Sequence, residues 1–322
     1  MSNSVLITGG LGYLGGRIAI HLVQNDFSVR VSTRHVPEDL PAWCGDVEVV
    51  RAHLEDDESL EAACQGVEAI VHLAAMNEIF CGQDPVGALL VNAVGTPRVL
   101  EAAKRMRVSR LIYMSTAHVY GSPLVGEITE TSLPRPGHSY ATSHKAAEDV
   151  VLAASDRGEV EGVILRLSNG FGAPADRHVD RWSLLVNDLC RQAVTLGEIT
   201  LKTSGTQLRD FVTLADVAHA VEIVLGIPSD RRNAGLFNLG GEHVCSIMVM
   251  TEFVASRVEQ CLGFRPSILR PDPDPDEVSK ELFYRIDRLR AHGYVPMGSH
   301  EKEIDRTLEL CQAAWARPRD SR

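Results

Sequence analysis

The stretch that decides the fold reads Val5-Leu6-Ile7-Thr8-Gly9-Gly10-Leu11-Gly12-Tyr13-Leu14-Gly15. An apolar run leads into a glycine-rich turn, and an amphipathic segment follows, which is typical of a buried strand, a tight turn and a helix. In such a turn Gly9 permits the bend, Gly12 lets the backbone approach a pyrophosphate, and Gly15 lets the helix pack on the strand. The free N–H groups of the first helical turn, which includes Tyr13 and Leu14, then hold the phosphates. The stretch therefore predicts a dinucleotide-binding site.

Strand-like and helical patterns alternate along the first half of the chain. Apolar runs predict strands at Val5–Thr8, Ser28–Thr33, Val47–Arg51, Ala69–Leu73, Leu111–Ser115 and Gly162–Leu167. Helical patterns cover Gly12–Gln24, Glu58–Cys64, Val86–Arg107 and Tyr140–Ala154, and later Leu185–Leu196, Thr213–Leu225 and Glu301–Ala314. Continuous apolar strands that alternate with helices indicate an α/β fold, a doubly wound parallel sheet covered on both faces. Ligands of such sheets bind at the carboxyl ends of the strands, so the residues after each strand are the candidates for function.

Composition excludes several classes of protein. The 322 residues are 44% hydrophobic and 23% charged, as in soluble globular proteins. The formal net charge of −11, with no stripe of Lys or Arg, argues against a nucleic-acid partner. Seven scattered cysteines without a Cys-x-x-Cys pair predict reduced thiols, neither a disulfide framework nor a metal site. No apolar stretch approaches about 18–20 residues, so we expect a soluble, cytoplasmic protein without a membrane partner.

The residues after the second predicted strand indicate which dinucleotide binds. An NAD-binding domain usually places an acid here to accept from the ribose 2′-hydroxyl, yet Thr33 and Arg34 follow the strand and no acid comes before Glu38. Threonine and arginine suit a 2′-phosphate, which an acid would repel. We therefore favour NADP as the cofactor, with NAD as the alternative. An exposed turn arginine without a ligand is the competing interpretation of Arg34.

The ends of the next two strands supply further cofactor candidates. His53-Leu54 follows the third strand and is expected beside the adenine. Leu73-Ala74-Ala75 follows the fourth strand, where small residues let the backbone run close to a cofactor. His72 lies inside the apolar strand and is interpreted as a core histidine. Asn92, in the following helix, is a candidate polar tether for the strands or, indirectly, for the cofactor.

Several motifs occur together and in a particular order: TGGLGYLG, VHLAA, NAVGT, STAHVYG, SYATSHKAAE, RLSNGFG and GTQLRDFVTLADVA. In this combination the chain resembles the extended short-chain dehydrogenases/reductases, in the NAD(P)-dependent nucleotide-sugar epimerase/dehydratase group. The resemblance covers nearly the full length. It implies a Rossmann domain at residues 1–170 with about 205–225, and a smaller, discontinuous α/β domain for the nucleotide sugar at 171–204 and 226–322. It also implies a homodimer, formed through Val86–Arg107 and Tyr140–Ala154 of each subunit.

The resemblance assigns the acid–base chemistry to Tyr140 and Thr116. In this family a tyrosine removes or returns the proton of a sugar hydroxyl while hydride passes to or from the nicotinamide, and a serine or threonine hydrogen-bonds the same oxygen. Ser115 stands one place before that threonine. A phenol with an ordinary pKa near 10 is a poor base at neutral pH, so the tyrosine must be activated. A lysine four residues on normally lowers the phenol pKa and binds the nicotinamide ribose.

At this point the sequence departs from the family pattern. His144 occupies the lysine position, and Lys145 lies about 100° further round the helix. A neutral imidazole stabilises a phenolate less than an ammonium does. Three alternatives follow: His144 takes the role as a protonated or hydrogen-bonding residue, which we favour; a displaced helix lets Lys145 reach; or the chemistry is lost and the fold only binds nucleotides.

The resemblance also places the substrate contacts. Asn169 matches the family position that meets the nucleotide diphosphate, and Arg209 matches the arginine that grips it, a bidentate task suited to a guanidinium. A salt bridge from Arg209 to its neighbour is the competing interpretation, and Arg270 is a weaker second candidate. The Asp-Glu pair that dehydratases carry after the threonine is replaced by Ala117 and His118. That replacement argues against a 4,6-dehydratase and leaves His118 as a possible acid or base at the substrate.

The sequence thus predicts an NADP-dependent oxidoreductase that reduces a keto group at C4 of a nucleoside-diphosphate sugar. NADP favours net reduction, because an epimerase recycles a tightly held cofactor. An epimerase is the alternative of the same class, and a nucleotide-binding protein with a degraded active site is the alternative of another class. Reduction of a non-nucleotide carbonyl is disfavoured, because Arg209 would then lack its phosphate partner.

Overall fold

The computed structural model describes residues 3–228, 235–276 and 280–315, to which all structural statements refer. Its strands are β1 (Ser4–Thr8), β2 (Ser28–Thr33), β3 (Glu48–Arg51), β4 (Ala69–His72), β5 (Arg110–Thr116), β6 (Gly126–Ile128), β7 (Glu161–Leu167), β8 (Asn169–Phe171), β9 (Glu198–Thr200), β10 (Leu208–Thr213), β11 (Leu236–Leu239), β12 (Val244–Ser246), β13 (Ser267–Leu269) and β14 (Leu282–Tyr284). Its α-helices are α1 (Tyr13–Gln24), α2 (Asp57–Cys64), α3 (Glu78–Gln83), α4 (Pro85–Ala88), α5 (Gly95–Arg105), α6 (Ser139–Asp156), α7 (Leu185–Leu196), α8 (Leu214–Gly226), α9 (Ile247–Leu262), α10 (Asp287–Arg290) and α11 (His300–Trp315).

Seven parallel strands form the large sheet, in the order β3-β2-β1-β4-β5-β7-β11. The chain winds outward from β1 in both directions, with Ile7 opposite Val31 of β2 on one side and Val71 of β4 on the other. This confirms the predicted α/β fold with a doubly wound parallel sheet. The strand order reverses between β1 and β4, which is where ligands of such sheets bind.

Alternate residues of each strand point to opposite faces of the sheet, and both faces are buried. Ile7 packs with Ile18 of α1 and Val221 of α8 in the apolar core on one face. The adjacent Leu6 packs on the other face, in the core that includes residues of α2, α5 and α6. The near-continuous apolar strands of the sequence therefore reflect burial on two sides.

A separate apolar core lies outside the large sheet. It is formed mainly by α7, α9 and α11, with Phe171 and Phe211 from β8 and β10. This core agrees with a second α/β unit, although the exact domain boundaries stay a prediction. One segment needs correction: Leu236–Leu239, placed by the sequence in the smaller domain, forms the edge strand of the large sheet. The C-terminal residues 316–322, also placed in the smaller domain, lie outside the described part of the chain.

The predicted helix over Val86–Arg107 is helical without a gap through Arg105, but it is not α-helical throughout. It consists of α4, a π-helical turn at Leu89–Val94 and α5. The π turn carries Asn92, whose side-chain oxygen accepts a hydrogen bond from the backbone N–H of Met76 at 2.7 Å. Within the described ranges, every helix is too short or too polar to cross a membrane.

Candidate active site

A cavity of about 1540 Å³ opens at the carboxyl ends of the sheet strands. Its walls include the residues that end β1, β2 and β5 and those that follow β4 and β7. Nearly all of the sequence-predicted site residues line this cavity: Gly9, Gly12, Tyr13, Leu14, Gly15, Thr33, Arg34, His53, Leu54, Leu73, Ala74, Ala75, Ser115, Thr116, His118, Tyr140, His144, Asn169 and Arg209. Asn92 and Arg270 are the two predicted residues that do not line it.

The glycine turn has the geometry that a dinucleotide site requires. Gly9 has φ +66°, and a Cβ there would lie 3.1 Å from the backbone nitrogen of Ala74. A Cβ on Gly15 would lie 2.5 Å from the carbonyl oxygen of Gly10, so a side chain would push the helix off the strand. Gly12 precedes α1 and no side chain caps the first N–H groups of that helix. These groups are therefore available for an anion such as a pyrophosphate.

The first helical residue is engaged in the fold as well as lining the cavity. The hydroxyl of Tyr13 donates to the carbonyl oxygen of Gly172 at 2.9 Å and accepts from the side-chain amide of Asn187 at 3.3 Å. Burial raises the pKa of Tyr13 well above that of a free phenol. The hydroxyl of Tyr13 thus links α1 to α7 and to the residue that follows β8.

The end of β2 presents a cation that has no partner among the described residues. Arg34 is exposed, lines the cavity and makes no hydrogen bond or ion pair with another described residue. The hydroxyl of Thr33 donates to the carbonyl oxygen of His35 at 3.1 Å. No acid ends β2, so this rim of the cavity is suited to a negative charge.

Tyr140 and Thr116 both line the cavity. Tyr140 is the second residue of α6 and Thr116 is the last residue of β5. Burial raises the pKa of Tyr140 to about 12, and the carboxylate of Glu78 adds to the effect. Arg181 and the nearby hydroxyl of Thr116 act in the opposite direction but do not offset burial. The phenol is therefore protonated at neutral pH.

His144 lies directly beneath Tyr140, with the two ring centres 4.5 Å apart. Its Nδ1 is 2.7 Å from the hydroxyl of Tyr113, while its Nε2 is buried without a hydrogen-bond partner among the described residues. Burial lowers the pKa of His144 to about 3, so the imidazole is neutral. Burial thus disfavours the form of our prediction in which His144 acts as a protonated residue, and the hydrogen-bonding form stays a prediction.

Lys145 does not replace the missing lysine. Helix α6 runs without interruption from Ser139 to Asp156, so no local displacement turns the next residue inward. The ammonium of Lys145 pairs with Asp149 one turn further along the helix. The alternative in which Lys145 reaches Tyr140 is wrong, because an unbroken helix keeps the two side chains on different faces.

Arg209 faces the cavity with its guanidinium free of hydrogen bonds and ion pairs to the described residues. Its neighbour Asp210 instead accepts from the hydroxyl of Ser168 at 2.6 Å and from the backbone N–H groups of Gly241 and His243 at 2.9 and 3.1 Å. The competing interpretation of Arg209 as half of an internal salt bridge is therefore wrong. Near it, the side-chain amide of Asn169 donates to the carbonyl oxygen of Asp210 at 2.9 Å.

The positions of Arg270 and Asn92 correct two of the predicted ligand contacts. Arg270 lies away from the cavity, where its guanidinium donates to the carbonyl oxygen of Ser204 at 2.5 Å. Asn92 is buried and its amide donates to the hydroxyl of Ser143 at 2.9 Å, which ties the π turn to α6. Asn92 thus has the tethering role, without a direct place in the cavity.

Two histidine rings, His118 and His138, line the cavity. His118 stands 5.4 Å from His138, ring centre to ring centre, and its Nδ1 is buried without a partner in the described chain. Burial lowers the pKa of His118 to about 4, and the positive fields of His138 and Arg209 act in the same direction. His118 is therefore a neutral hydrogen-bonding group at this position.

A model of the NAD dependent epimerase/dehydratase family matches residues 5–240. The chain belongs to this family.

Named relatives in the family are enzymes acting on nucleotide sugars. The putative UDP-arabinose 4-epimerase 4 of Arabidopsis thaliana is 28% identical and aligns with 90% of this chain and 77% of its own length. The putative UDP-glucose 4-epimerase of Methanocaldococcus jannaschii is 24% identical over 94% of this chain and 97% of its own length. The Thermus thermophilus UDP-glucose 4-epimerase, solved with NAD, is 26% identical with a TM-score of 0.78 over 97% and 99% of the two chains. The chain is an enzyme of the extended short-chain dehydrogenase/reductase type.

The cavity of this epimerase/dehydratase-family enzyme also contains an ion pair that was not predicted from the sequence. Arg181, in the loop before α7, donates to the carboxylate of Glu78 at 2.9 Å, and both residues line the cavity. The side chain of Asn77 caps α3 by accepting from the N–H of Phe80, so a capping signal marked Glu78 as a helix start. No local sequence pattern indicated the role of Arg181, because 103 residues separate it from its partner.

A buried charged network behind the cavity wall that carries Tyr140 was also not predicted from the sequence. Glu148 accepts from Nε and Nη2 of Arg166 at 2.9 and 2.6 Å and from the hydroxyl of Ser115 at 2.6 Å. All three side chains are buried. Tyr140, His144 and Glu148 share one face of α6 at successive turns. The network therefore fixes the face that presents Tyr140 to the cavity.

Proposed function

We propose that this enzyme reduces the C4 keto group of a nucleoside-diphosphate sugar, with Tyr140 as the proton donor. The observation that carries the proposal is the phenol of Tyr140. It packs against a neutral His144, and burial raises its pKa to about 12. Ketone reduction adds a hydride to carbon and a proton to oxygen, so it needs an acid at the start of the step. A protonated phenol meets that need without an activating cation.

The residues of the glycine turn fit a nicotinamide dinucleotide, which when bound supplies the hydride. Gly9, Gly12 and Gly15 keep the backbone close enough for the N–H groups of α1 to hold the pyrophosphate. We assign the 2′-phosphate of NADP to Arg34, because this exposed guanidinium has no partner among the described residues. The unpartnered Nε2 of His144 is assigned to a hydroxyl of the nicotinamide ribose, the group that the family's lysine otherwise meets.

The substrate oxygen is held between the hydroxyls of Thr116 and Tyr140. Thr116 donates a hydrogen bond that orients the carbonyl, and Tyr140 transfers its proton to the same oxygen as the carbonyl becomes an alcohol. The resulting tyrosinate regains a proton from solvent, because Tyr140 lines the open cavity. Arg209 and Asn169 hold the diphosphate further out, where Arg209 has no internal counter-ion among the described residues.

An epimerase is the second candidate, favoured by the relatives named as UDP-sugar 4-epimerases. Epimerisation begins with oxidation of a hydroxyl, for which Tyr140 must act as a base. Because burial raises the pKa of Tyr140, its phenol is mainly in the acid form at neutral pH. This initial step is disfavoured in the chain without a cation beneath Tyr140, which is why we rank reduction first.

The two candidates are separated by cofactor stoichiometry. Purified enzyme is incubated with NADPH or NADH and a UDP- or dTDP-4-keto sugar, and dinucleotide oxidation is compared with product formation. We expect one NADPH consumed for each sugar reduced, and loss of turnover in Tyr140→Phe. Interconversion of UDP-glucose and UDP-galactose without added cofactor would instead establish the epimerase. Binding of NADP without turnover on any nucleotide sugar would overturn both.

We further propose that the enzyme is a homodimer. Val86, Leu89, Leu90 and Val94 form an apolar face on α4 and the π turn, and these residues are 42–67% exposed. Apolar faces of this kind are typical of subunit interfaces. Light scattering with Leu89→Asp tests the assignment, because Leu89 does not line the active-site cavity: the wild-type mass should be twice 35.2 kDa, and the variant should be monomeric.

A further inference from the structure

Three side chains with metal-binding atoms meet on the face of the large sheet that α1 and α8 cover. His21 lies in the last turn of α1, and His219 and Glu222 lie one turn apart on α8. The Nε2 of His21 is 2.6 Å from a carboxylate oxygen of Glu222, and the Nδ1 of His219 is 3.6 Å from the same oxygen. All three ligand atoms lie within 4.8 Å of one another.

The geometry points to a site for a divalent transition metal, with Zn²⁺ as the best match. Two imidazoles and one carboxylate form a donor set that suits Zn²⁺ and its neighbours rather than Mg²⁺ or Ca²⁺, which prefer oxygen. Ligand atoms bonded to one tetrahedral Zn²⁺ at roughly 2.0–2.2 Å lie about 3.4 Å apart. The distance between His219 and Glu222 already has that value to within a few tenths of an ångström.

Only a small movement completes the site. The contact between His21 and Glu222 is a hydrogen bond, so the ion takes the place of the shared proton and the two atoms separate by under an ångström. The side chains of His21, His219 and Glu222 are 26–29% exposed, which leaves rotamer freedom and room for a water as the fourth ligand. The side chain of Asn25 donates to the carbonyl oxygen of His21 at 2.8 Å and holds the end of α1 in place.

The ion would join two helices that carry different parts of the enzyme. Helix α1 begins at the glycine turn, and α8 follows directly on β10, the strand that carries Arg209. None of the three ligands lines the active-site cavity, so the site is separate from the chemistry. Its effect is to cross-link α1 to α8, because an ion that binds only the folded chain stabilises it.

The test measures Zn²⁺ binding and thermal stability on the full-length protein. After removal of metal with a chelator, equilibrium dialysis should find one Zn²⁺ per chain in the wild type. Zn²⁺ at 100 times its Kd should raise the Tm by roughly 4 °C, and Mg²⁺ at the same concentration should not. His21→Ala, His219→Ala and Glu222→Gln should each weaken Zn²⁺ binding at least tenfold.

His178→Ala is the matched control. His178 pairs with Asp176 at 2.9 Å on the surface but has no third ligand nearby in the described chain, so this variant should bind Zn²⁺ as the wild type does. If a ligand variant melts at a lower temperature in chelator, the increment caused by Zn²⁺ is compared instead of the absolute Tm. Equal Zn²⁺ affinity and equal increments in wild type, His21→Ala and Glu222→Gln would overturn the proposal.

Discussion

The hydroxyl of Tyr113 lies 2.7 Å from Nδ1 of His144, in a buried layer one helical turn beneath Tyr140. His144 stands at the sequence position where the family pattern has a lysine. Because both groups are neutral, this pair supplies no positive charge that would draw the proton off Tyr140. We therefore expect the pair to keep the tyrosine in its acid form, which supports the proposed reduction.

The first prediction is that His144→Lys changes the pH dependence of the enzyme. An ammonium beneath Tyr140 should lower the pKa of the phenol by at least about one unit. The rate of alcohol oxidation should then rise at neutral pH, while reduction should begin to fall at a lower pH than in the wild type. The measurement is kcat/KM against pH in both directions. Full activity in His144→Ala with an unchanged profile would remove His144 from the mechanism.

The second prediction concerns the stability that the Tyr113 hydroxyl provides. Tyr113→Phe leaves Nδ1 of His144 buried without a partner, which costs about 1–3 kcal/mol of the free energy of unfolding. Denaturant unfolding measures the loss. Tyr140→Phe is the control, since it removes a hydroxyl at the cavity wall and should abolish turnover with little change in stability. If both variants unfold alike, the hydrogen bond in the buried layer contributes nothing.

The third prediction is a loss of stability in mild acid. Burial lowers the pKa of His72 to about 4 and that of His144 to about 3, whereas both titrate near 6.5 in the unfolded chain. Below pH 6.5 the unfolded state binds more protons, so the free energy of unfolding falls as pH drops toward 4 and 3. Relative to pH 7.5, each of these two buried histidines should lower the free energy of unfolding at pH 5 by about 2 kcal/mol.

Urea unfolding at pH 7.5 and pH 5 checks this dependence. His72→Asn should reduce the difference between the two pH values, and His35→Asn, at an exposed position, should leave it unchanged. Comparison of differences removes the cost that the substitution itself imposes at pH 7.5. A free energy of unfolding that is equal at both pH values would contradict neutral burial of these histidines.

The sheet was predictable because its strands are buried on both faces. The predicted Ser28–Thr33 matches β2 residue for residue, and the other five predicted strands agree within one or two residues at each end. The predicted Leu185–Leu196 likewise coincides with α7. Local patterns sufficed for these elements, since apolar periodicity reports burial directly. The glycines of the turn between β1 and α1 were also predictable, because one short segment contains the whole turn.

Features formed by distant segments were not predictable. Helix–sheet packing sets the neutral state of His144, and the side chain of Tyr113 that bonds it is 31 residues away. The edge strand Leu236–Leu239 joins the large sheet only through pairing with β7. A π turn carries no distinct sequence period, so Leu89–Val94 was predicted as ordinary helix. The family pattern placed Tyr140 and Thr116, but it could not say what a histidine does in a lysine's position.

The fourth prediction concerns the choice of dinucleotide. Arg34 is exposed and unpaired within the described ranges, so its main interaction should be with a bound 2′-phosphate. Arg34→Ala should weaken NADPH binding at least tenfold and leave NADH binding nearly unchanged, as measured by calorimetric titration. Arg51→Ala, at the end of the neighbouring strand, is a control that should change neither. Equal affinities of wild type and Arg34→Ala for NADPH would favour NAD as the cofactor.

The fifth prediction separates a substrate-binding arginine from a structural one. Arg209 has no protein partner in the described chain, so Arg209→Ala should raise the KM for the nucleotide sugar at least tenfold with little change in Tm. Arg166→Ala is the matched control, because it strands the buried carboxylate of Glu148 and should cost about 3–5 kcal/mol of stability. Calorimetric titration with UDP alone isolates the diphosphate contact from the sugar. If Arg209→Ala lowers Tm as far as Arg166→Ala does while KM and UDP affinity stay at wild-type values, Arg209 belongs to the core and the diphosphate must be held by other groups.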